Sequence, residues 1–380
     1  MKKPVRLFWG ICLACGLVTA AVAALQDLHP ASDAEVIEVL PARISVTPAT
    51  PQAAAVAARR WITLARETAD PRYLGRAQAV LAVWWGKPDA PAELAVLQAT
   101  VEQSRHEFDA ARKTLQRALQ ADPAQVQGWL TLATLERVAA RYPASESACR
   151  NVARHGAALH ATACLLESRS LQGHSDAARS GFTALIQQAR EPADRAWLQS
   201  LLAESEERAG RDDAANAAYR ASLAAAPDGY TALAYADLLL RLGRPADAAE
   251  ALKAQPASDA VLLRRAHALR LMGNTAQAQA LSTELEARFA ALAARGEALD
   301  AHARERSLLA LWLQGQPQDA WRAAQANLAL QKEPLDWWLA LQTSEQSGDA
   351  AAHRKVVQAF QGTGLQDARL ARWQARGSNK

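Results

Sequence analysis

Apolar residues along most of this chain recur at steps of three and four, the spacing of one helix face, and few runs alternate apolar with polar residues. The amphipathic stretches come in pairs, and a glycine recurs between the members of a pair: Gly173, Gly210, Gly243, Gly273, Gly315 and Gly348. The intervals are 37, 33, 30, 42 and 33 residues. A period of roughly 34 residues describes one helix–turn–helix unit, which cannot bury its apolar face alone and must stack on its neighbours. The pattern therefore predicts an all-α chain with essentially no sheet. Stacked helical hairpins build a binding surface and seldom a catalytic centre.

Laying the units over one another gives each position a reason. Ala99, Ala111, Leu115, Ala118 and Pro123 fall at positions 8, 20, 24, 27 and 32 of one unit, and Trp129, Leu132 and Ala133 at 4, 7 and 8 of the next. Leu202, Ala203, Gly210, Ala215, Tyr219 and Pro227 repeat the scheme, as do Ala236, Gly243, Ala248 and Leu252, and finally Trp337 and Gly348. Small residues at 8 and 20 let two helices cross closely, large ones at 4, 7 and 24 fill the layer between units, and proline stops the second helix. This pattern resembles the tetratricopeptide repeat. The resemblance implies a right-handed α-solenoid whose first helices line a concave groove that holds peptides or protein segments, with no enzyme activity. The run Asp70-Pro71-Arg72-Tyr73-Leu74-Gly75 and the whole-chain layout also resemble exported bacterial repeat proteins.

The expected organisation is a leader over 1–24, a Pro-rich linker over 25–52, a capping helix pair over 53–91, repeats over 92–361 and a tail over 362–380. The unit after Gly273 is stretched by about one or two helical turns. In the leader, Lys2, Lys3 and Arg6 precede the apolar run Leu7 to Val22 and the small-x-small site Ala21-Val22-Ala23. This reads as a secretory signal, or as a single membrane anchor over 7–24 if it is retained. Cys12 and Cys15 lie inside that run, and their spacing there is accidental. The bulk of the chain is expected in the periplasm or otherwise outside the cytoplasm.

Composition adds less. The formal charge of +4 comes from 43 basic and 39 acidic residues, and without the three in the leader it falls to 40 against 39. No basic block interleaved with aromatics is present, so nucleic acid is not an expected partner. We find no Gly-rich phosphate loop, GxSxG elbow, HExxH or acidic calcium loop, and expect no catalytic residues, no cofactor and no resident metal. The carboxylate pairs Glu206-Glu207 and Asp212-Asp213 read as solvated helix-end charges.

One constellation invites chemistry: Cys149, His155, His160 and Cys164. In the repeat register the two cysteines sit on antiparallel neighbouring helices, about equally far from the turn that joins them. A Cys149–Cys164 disulfide ranks first, buried free thiols second, and a zinc or nickel site with the two histidines third. The groove positions of the family would present His160, Glu167, Trp197, Glu204, Tyr230, Asp237, His267, Arg270, His302, Glu305, Trp312, Trp338 and Glu345. Of these, Trp197, Tyr230, His267, Arg270, His302, Trp312 and Trp338 are the candidate partner-binding residues, since rings beside charges suit peptide recognition. The groove lacks the Lys/Asn array with which chaperone-binding members of that family clamp a carboxylate. In the doublets Trp84-Trp85 and Trp337-Trp338, neighbours about 100° apart on a helix cannot both be deeply buried on one face. The expectation is a non-enzymatic scaffold that binds a protein or peptide partner in its groove. The alternatives are an envelope-complex subunit using its convex face and a metal-handling protein built on the Cys/His set.

Overall fold

The computed structural model describes Ser32 and residues 34–36, 50–296 and 299–374. The leader, its cleavage site, Cys12 and Cys15, and most of the Pro-rich stretch lie outside the described residues. The chain divides into two compact units, Met1–Ser45 and Val46–Lys380. In the first, Ser32 and 34–36 form a turn in which the Glu35 N–H donates to the Ser32 carbonyl at 3.0 Å.

The second unit is a helical-repeat solenoid, and no strand occurs among its described residues. A first pair, α1 (Pro51–Thr68) and α2 (Arg72–Leu81), is followed by eight hairpins. They are α3 (Ala92–Ser104) with α4 (Phe108–Ala121), α5 (Val126–Val138) with α6 (Tyr142–Arg154), and α7 (Ala158–Ser170) with α8 (Ser175–Gln188). Then come α9 (Pro192–Arg208) with α10 (Asp212–Ala225), α11 (Gly229–Arg241) with α12 (Pro245–Ala251), and α13 (Asp259–Leu271) with α14 (Thr275–Ala294). Last are α15 (Ala303–Leu309), continued by a π-helical turn over Ala310–Gln314, with α16 (Pro317–Leu330), and α17 (Pro334–Gln346) with α18 (Ala350–Gln361). A 3₁₀ turn, Leu299–His302, precedes α15, and the described residues end in a 3₁₀ turn, Ala368–Leu370, and α19 (Ala371–Gln374).

The alanines at the crossing positions behave as their size demands. Ala99, Ala111, Ala133, Ala203, Ala215, Ala236 and Ala248 are all fully buried, while Leu115, Tyr219 and Leu252 fill the layers between them. The stretched unit is α14, 20 residues against 13 or 14 in most neighbours, together with the 3₁₀ turn after it. Of the late doublet, Trp337 is 2% exposed and Trp338 only half-buried.

Each recurring glycine ends its first helix in the left-handed region, Gly210 for example at φ 72°. There the Arg211 N–H reaches back to the Glu206 carbonyl at 2.9 Å, closing the helix end in a Schellman-type turn. The first two hairpins make the same turn without glycine. His106 (φ 61°) and Ala140 (φ 57°) take the left-handed position, with Glu107 N to Glu102 O at 2.9 Å and Arg141 N to Glu136 O at 2.8 Å. That absence of glycine is why the punctuation in the sequence begins only at Gly173.

The solenoid curls until distant parts meet. The link between α16 and α17 reaches α5, where the Lys332 N–H donates to the Val138 carbonyl at 2.7 Å. The segment after α18, which the sequence marks as a tail, folds back over the C-terminal ends of α7 and α9. Its Gln366 N–H donates to the Leu171 carbonyl at 2.8 Å, and Arg369 pairs with Glu207 at 2.9 Å. Leu365, Leu370 and Trp373 are each at most 2% exposed and share one apolar cluster with Tyr142 and Leu171. The Glu206-Glu207 pair is therefore not solvated: Glu206 is 1% and Glu207 5% exposed. Glu206 is gripped by Arg179 and Arg211. Glu207 accepts from Arg369, from Arg241 at 3.4 Å and from the Tyr219 hydroxyl at 3.2 Å. Burial alone would raise the Glu206 carboxyl, but its two guanidinium partners overcome that and hold it below its ordinary value.

Two outcomes follow from this packing. Ala140→Gly removes a left-handed strain of about 1 kcal/mol and is expected to raise the denaturant midpoint with an unchanged slope. Trp373→Ala empties a fully buried site in the closing segment and is expected to cost roughly 3–5 kcal/mol in the same measurement.

Candidate functional site

Curling turns the concave face into a cavity of about 850 Å³. Its walls are the first helices α3, α5, α7, α9 and α11, with the Gln331–Pro334 link crossing one side. First helices face inward because their second partners carry the outer layer. The small crossing residues keep the walls close, and polar side chains at the inward positions meet across a confined space. Tyr230, 62% exposed near the start of α11, stands in the same cavity.

The ionisable groups inside are unevenly matched. Arg137 pairs with Glu167 at 3.0 Å, and Glu333 with Arg304 at 2.7 Å. Glu204 has weaker company: Arg208 lies 3.5 Å away, and the Tyr230 hydroxyl donates to it at 2.9 Å. Burial, with the charges of Glu167 and Glu333, pushes the Glu204 carboxyl up to about 7, against the lowering influence of Arg208 and Tyr230. The Tyr230 hydroxyl is raised in turn, chiefly by the Glu204 charge. Arg208 is only 5% exposed; its guanidinium donates to Ser170 Oγ at 2.7 Å, yet its Nε–H has no partner.

The structure divides the expected groove residues. Trp197 and Tyr230 line the cavity together with Glu167 and Glu204, and His160 stacks on Trp197 with ring centroids 5.3 Å apart. His267, Arg270, His302, Trp312 and Trp338 do not line it. His267 stacks on Trp312 at 4.4 Å, and Arg270 donates to the Trp312 carbonyl. Burial first, then the charge of Arg270, lowers the His267 imidazole to about 4. His302 lies against Phe289 at 6.0 Å, and Trp338 packs on the C-terminal core. His267 and Arg270 on α13 thus meet Trp312 in the π-helical turn that continues α15. Arg208 and the Lys332–Glu333 link are cavity residues that the repeat register misses. Only the curl brings the link to the groove.

Cys149 and Cys164 are joined in a disulfide between α6 and α7, with Cα atoms 5.6 Å apart. Neither sulfur then offers a thiolate, and His155 is exposed while His160 is engaged with Trp197. Among the described residues no group of three or more His, Cys, Asp or Glu is placed to hold a metal.

No protein-family model and no curated protein matches the chain. Solved structures do. A chain of the APC/C hetero-tetramer Cut9–Hcn1 aligns with a TM-score of 0.51 at 13% identity, over 88% of this chain and 65% of that one. A tetratricopeptide repeat protein from Parabacteroides merdae ATCC 43184 aligns at 0.39 and 12% identity, over 76% of this chain and 99% of that one. Rap protein complexed with competence and sporulation factor aligns at 0.47 and 11%, over 84% and 86%. The chain thus spans about two thirds of the first of these. The fold is that of a tetratricopeptide-like helical-repeat solenoid.

Glu204 sets a pH dependence. Its folded-state value of about 7 lies above its ordinary 4.5, so its contribution to stability is complete below pH 4.5 and lost as pH rises through 7. Glu204→Gln removes this slope, and relative to the parent it should gain roughly 2–3 kcal/mol between pH 5 and pH 8 in denaturant titrations.

Proposed function

We propose that this protein is a non-enzymatic interaction scaffold that works outside the cytoplasm and receives a segment of a protein partner in its concave cavity. One observation carries the reading. The inner face of the solenoid remains hollow beside a closed and well-packed end, and that hollow is lined by aromatic and charged side chains rather than by a sealed apolar core. Ring faces contribute large contact area at little entropic cost, and the charges supply specificity. Trp197 and Tyr230 are the recognition residues. His267, Arg270, His302, Trp312 and Trp338 serve the packing of the later repeats. The solved chain of like fold, Cut9, stands in a hetero-tetramer with Hcn1, which is a precedent for protein partners.

Location outside the cytoplasm is supported by the leader and by a disulfide, since such bonds persist in oxidising compartments. No helix among the described residues is long and apolar enough to cross a membrane. A second reading has its own observation. A separate cleft of about 500 Å³ between α14, α15 and α16 is lined by Phe289, Leu309, Ala323, Arg306 and Glu286. A subunit of an envelope complex that binds away from the concave cavity would use it.

Crosslinking in intact cells with tagged full-length protein, followed by mass spectrometry, tests both. Repeated capture of the same exported or membrane protein, reduced at least several-fold by Trp197→Ala and unchanged by Arg306→Ala, is the expected result. The opposite pattern would move the partner to that second cleft. Retention of most of the protein in the cytoplasm would overturn the location.

A further inference from the structure

We propose that the exposed faces of α2, α4 and α6 form a docking surface for an anionic phospholipid bilayer, with six cations set against its phosphate groups. This surface is separate from the cavity, since none of the six side chains lines it.

The carrying observation is a repeated spacing. Three successive second helices each hold two cations four residues apart: Arg72 and Arg76 on α2, Lys113 and Arg117 on α4, and Arg150 and Arg154 on α6. Residues four apart share one helix face, and like charges there destabilise the helix. Helical spacing sets each pair opposite its helix's buried side. That side is Leu74, Ala77 and Leu81 on α2, Ala111, Leu115 and Ala118 on α4, and Ala148, Cys149 and Val152 on α6. Five of the six cations are exposed; Arg76 is partly buried, its guanidinium over the Trp61 and Tyr73 rings. Because the repeats stack in order, the pairs lie in three successive rows.

Charge balance singles these helices out. Together α2, α4 and α6 hold seven basic residues against two acidic, Asp109 and Glu146. The next five second helices, α8, α10, α12, α14 and α16, hold four basic against eight acidic, and α18 adds Arg354 and Lys355. Asp109 is taken by Arg112 at 2.6 Å, and Glu146 is shared by Arg150 at 3.5 Å and Gln172 at 3.1 Å. Arg72 is bound to Asp70. Among the described residues no carboxylate pairs with Lys113, Arg117 or Arg154.

What covers such a surface must be anionic and broad. Neither α4 nor α6 exposes a large apolar side chain, so a folded protein finds no ring or pocket there on which to build an interface core. A bilayer needs none. Each cation near an anionic headgroup layer is attracted separately, and the attractions accumulate over the three rows.

The test is co-sedimentation of the full-length protein with phosphatidylcholine vesicles, with and without phosphatidylglycerol, at low and high salt. The leader carries Lys2, Lys3 and Arg6, so the comparison is between variants that all keep it. Lys113→Glu/Arg117→Glu is expected to lower affinity for the anionic vesicles at least tenfold, and high salt to weaken the parent strongly. Arg220→Glu/Arg322→Glu, the same charge change on α10 and α16, should alter it less than twofold. Arg150→Gln/Arg154→Gln, a milder change on α6, should weaken binding several-fold. Equal losses in the two Glu variants would show that net charge alone matters and would overturn the surface. Anionic-vesicle binding indifferent to the α4 and α6 changes, or equal binding to neutral vesicles, overturns it as well. If Lys113→Glu/Arg117→Glu removes a protein partner in cells and leaves vesicle binding intact, the face docks an acidic protein and the bilayer proposal falls.

Discussion

Contact between the C-terminal part of the solenoid and its middle repeats is the constraint on which the rest of the structure depends. A stack of hairpins can grow as an open spiral, because each unit needs only its neighbours. Here Leu365, Leu370 and Trp373 find their cover on Tyr142 and Leu171. The Lys332–Val138 hydrogen bond and the Arg369–Glu207 ion pair hold the same closure at two further points. Once these parts meet, the concave face becomes a cavity in which Arg208, Glu167 and Glu204 lose much of their access to water.

That enclosure explains the electrostatics. Glu206 and Glu207 survive burial because guanidinium groups from neighbouring repeats and from the closing segment reach them. Asp336 does so in a similar way, fully buried and held by Arg304 at 2.8 Å. Removing charges from water is costly unless each is paired and hydrogen-bonded, and these are. Glu204 is the exception: it shares the enclosure without a full partner, and its carboxyl stays largely protonated up to neutral pH. An incompletely matched group inside an otherwise well-paired network is where a ligand gains most. For that reason the functional reading centres on α9 and α11 rather than on the whole inner face.

Much of the fold was legible in the residues. Gly210, Gly243 and Gly273 announce left-handed turns that only glycine adopts without strain, and Ala203, Ala215, Ala236 and Ala248 announce close crossings. The earliest turns were less visible, since His106 and Ala140 take the left-handed position at a strain that packing absorbs. The candidate site was legible only in part. Trp197 and Tyr230, named from the repeat register, line the cavity, whereas His267, Arg270, His302, Trp312 and Trp338, named from the same register, lie outside it. Glu206 and Glu207 looked like helix-end charges because their partners Arg179 and Arg369 are 27 and 162 residues away.

The sequence by itself determined the unit: its helices, its turns, the small residues at each crossing and the antiparallel neighbours that bring Cys149 to Cys164. These depend on residues within one or two repeats, so local spacing and side-chain size suffice. Tertiary structure alone decided that the solenoid curls back on itself, that its last segment covers the ends of α7 and α9, and that a cavity holding the Glu204 carboxyl lies within. Those outcomes depend on the small rotation added at each repeat, summed over eight hairpins and altered once by the long α14, and no single stretch of residues carries that sum.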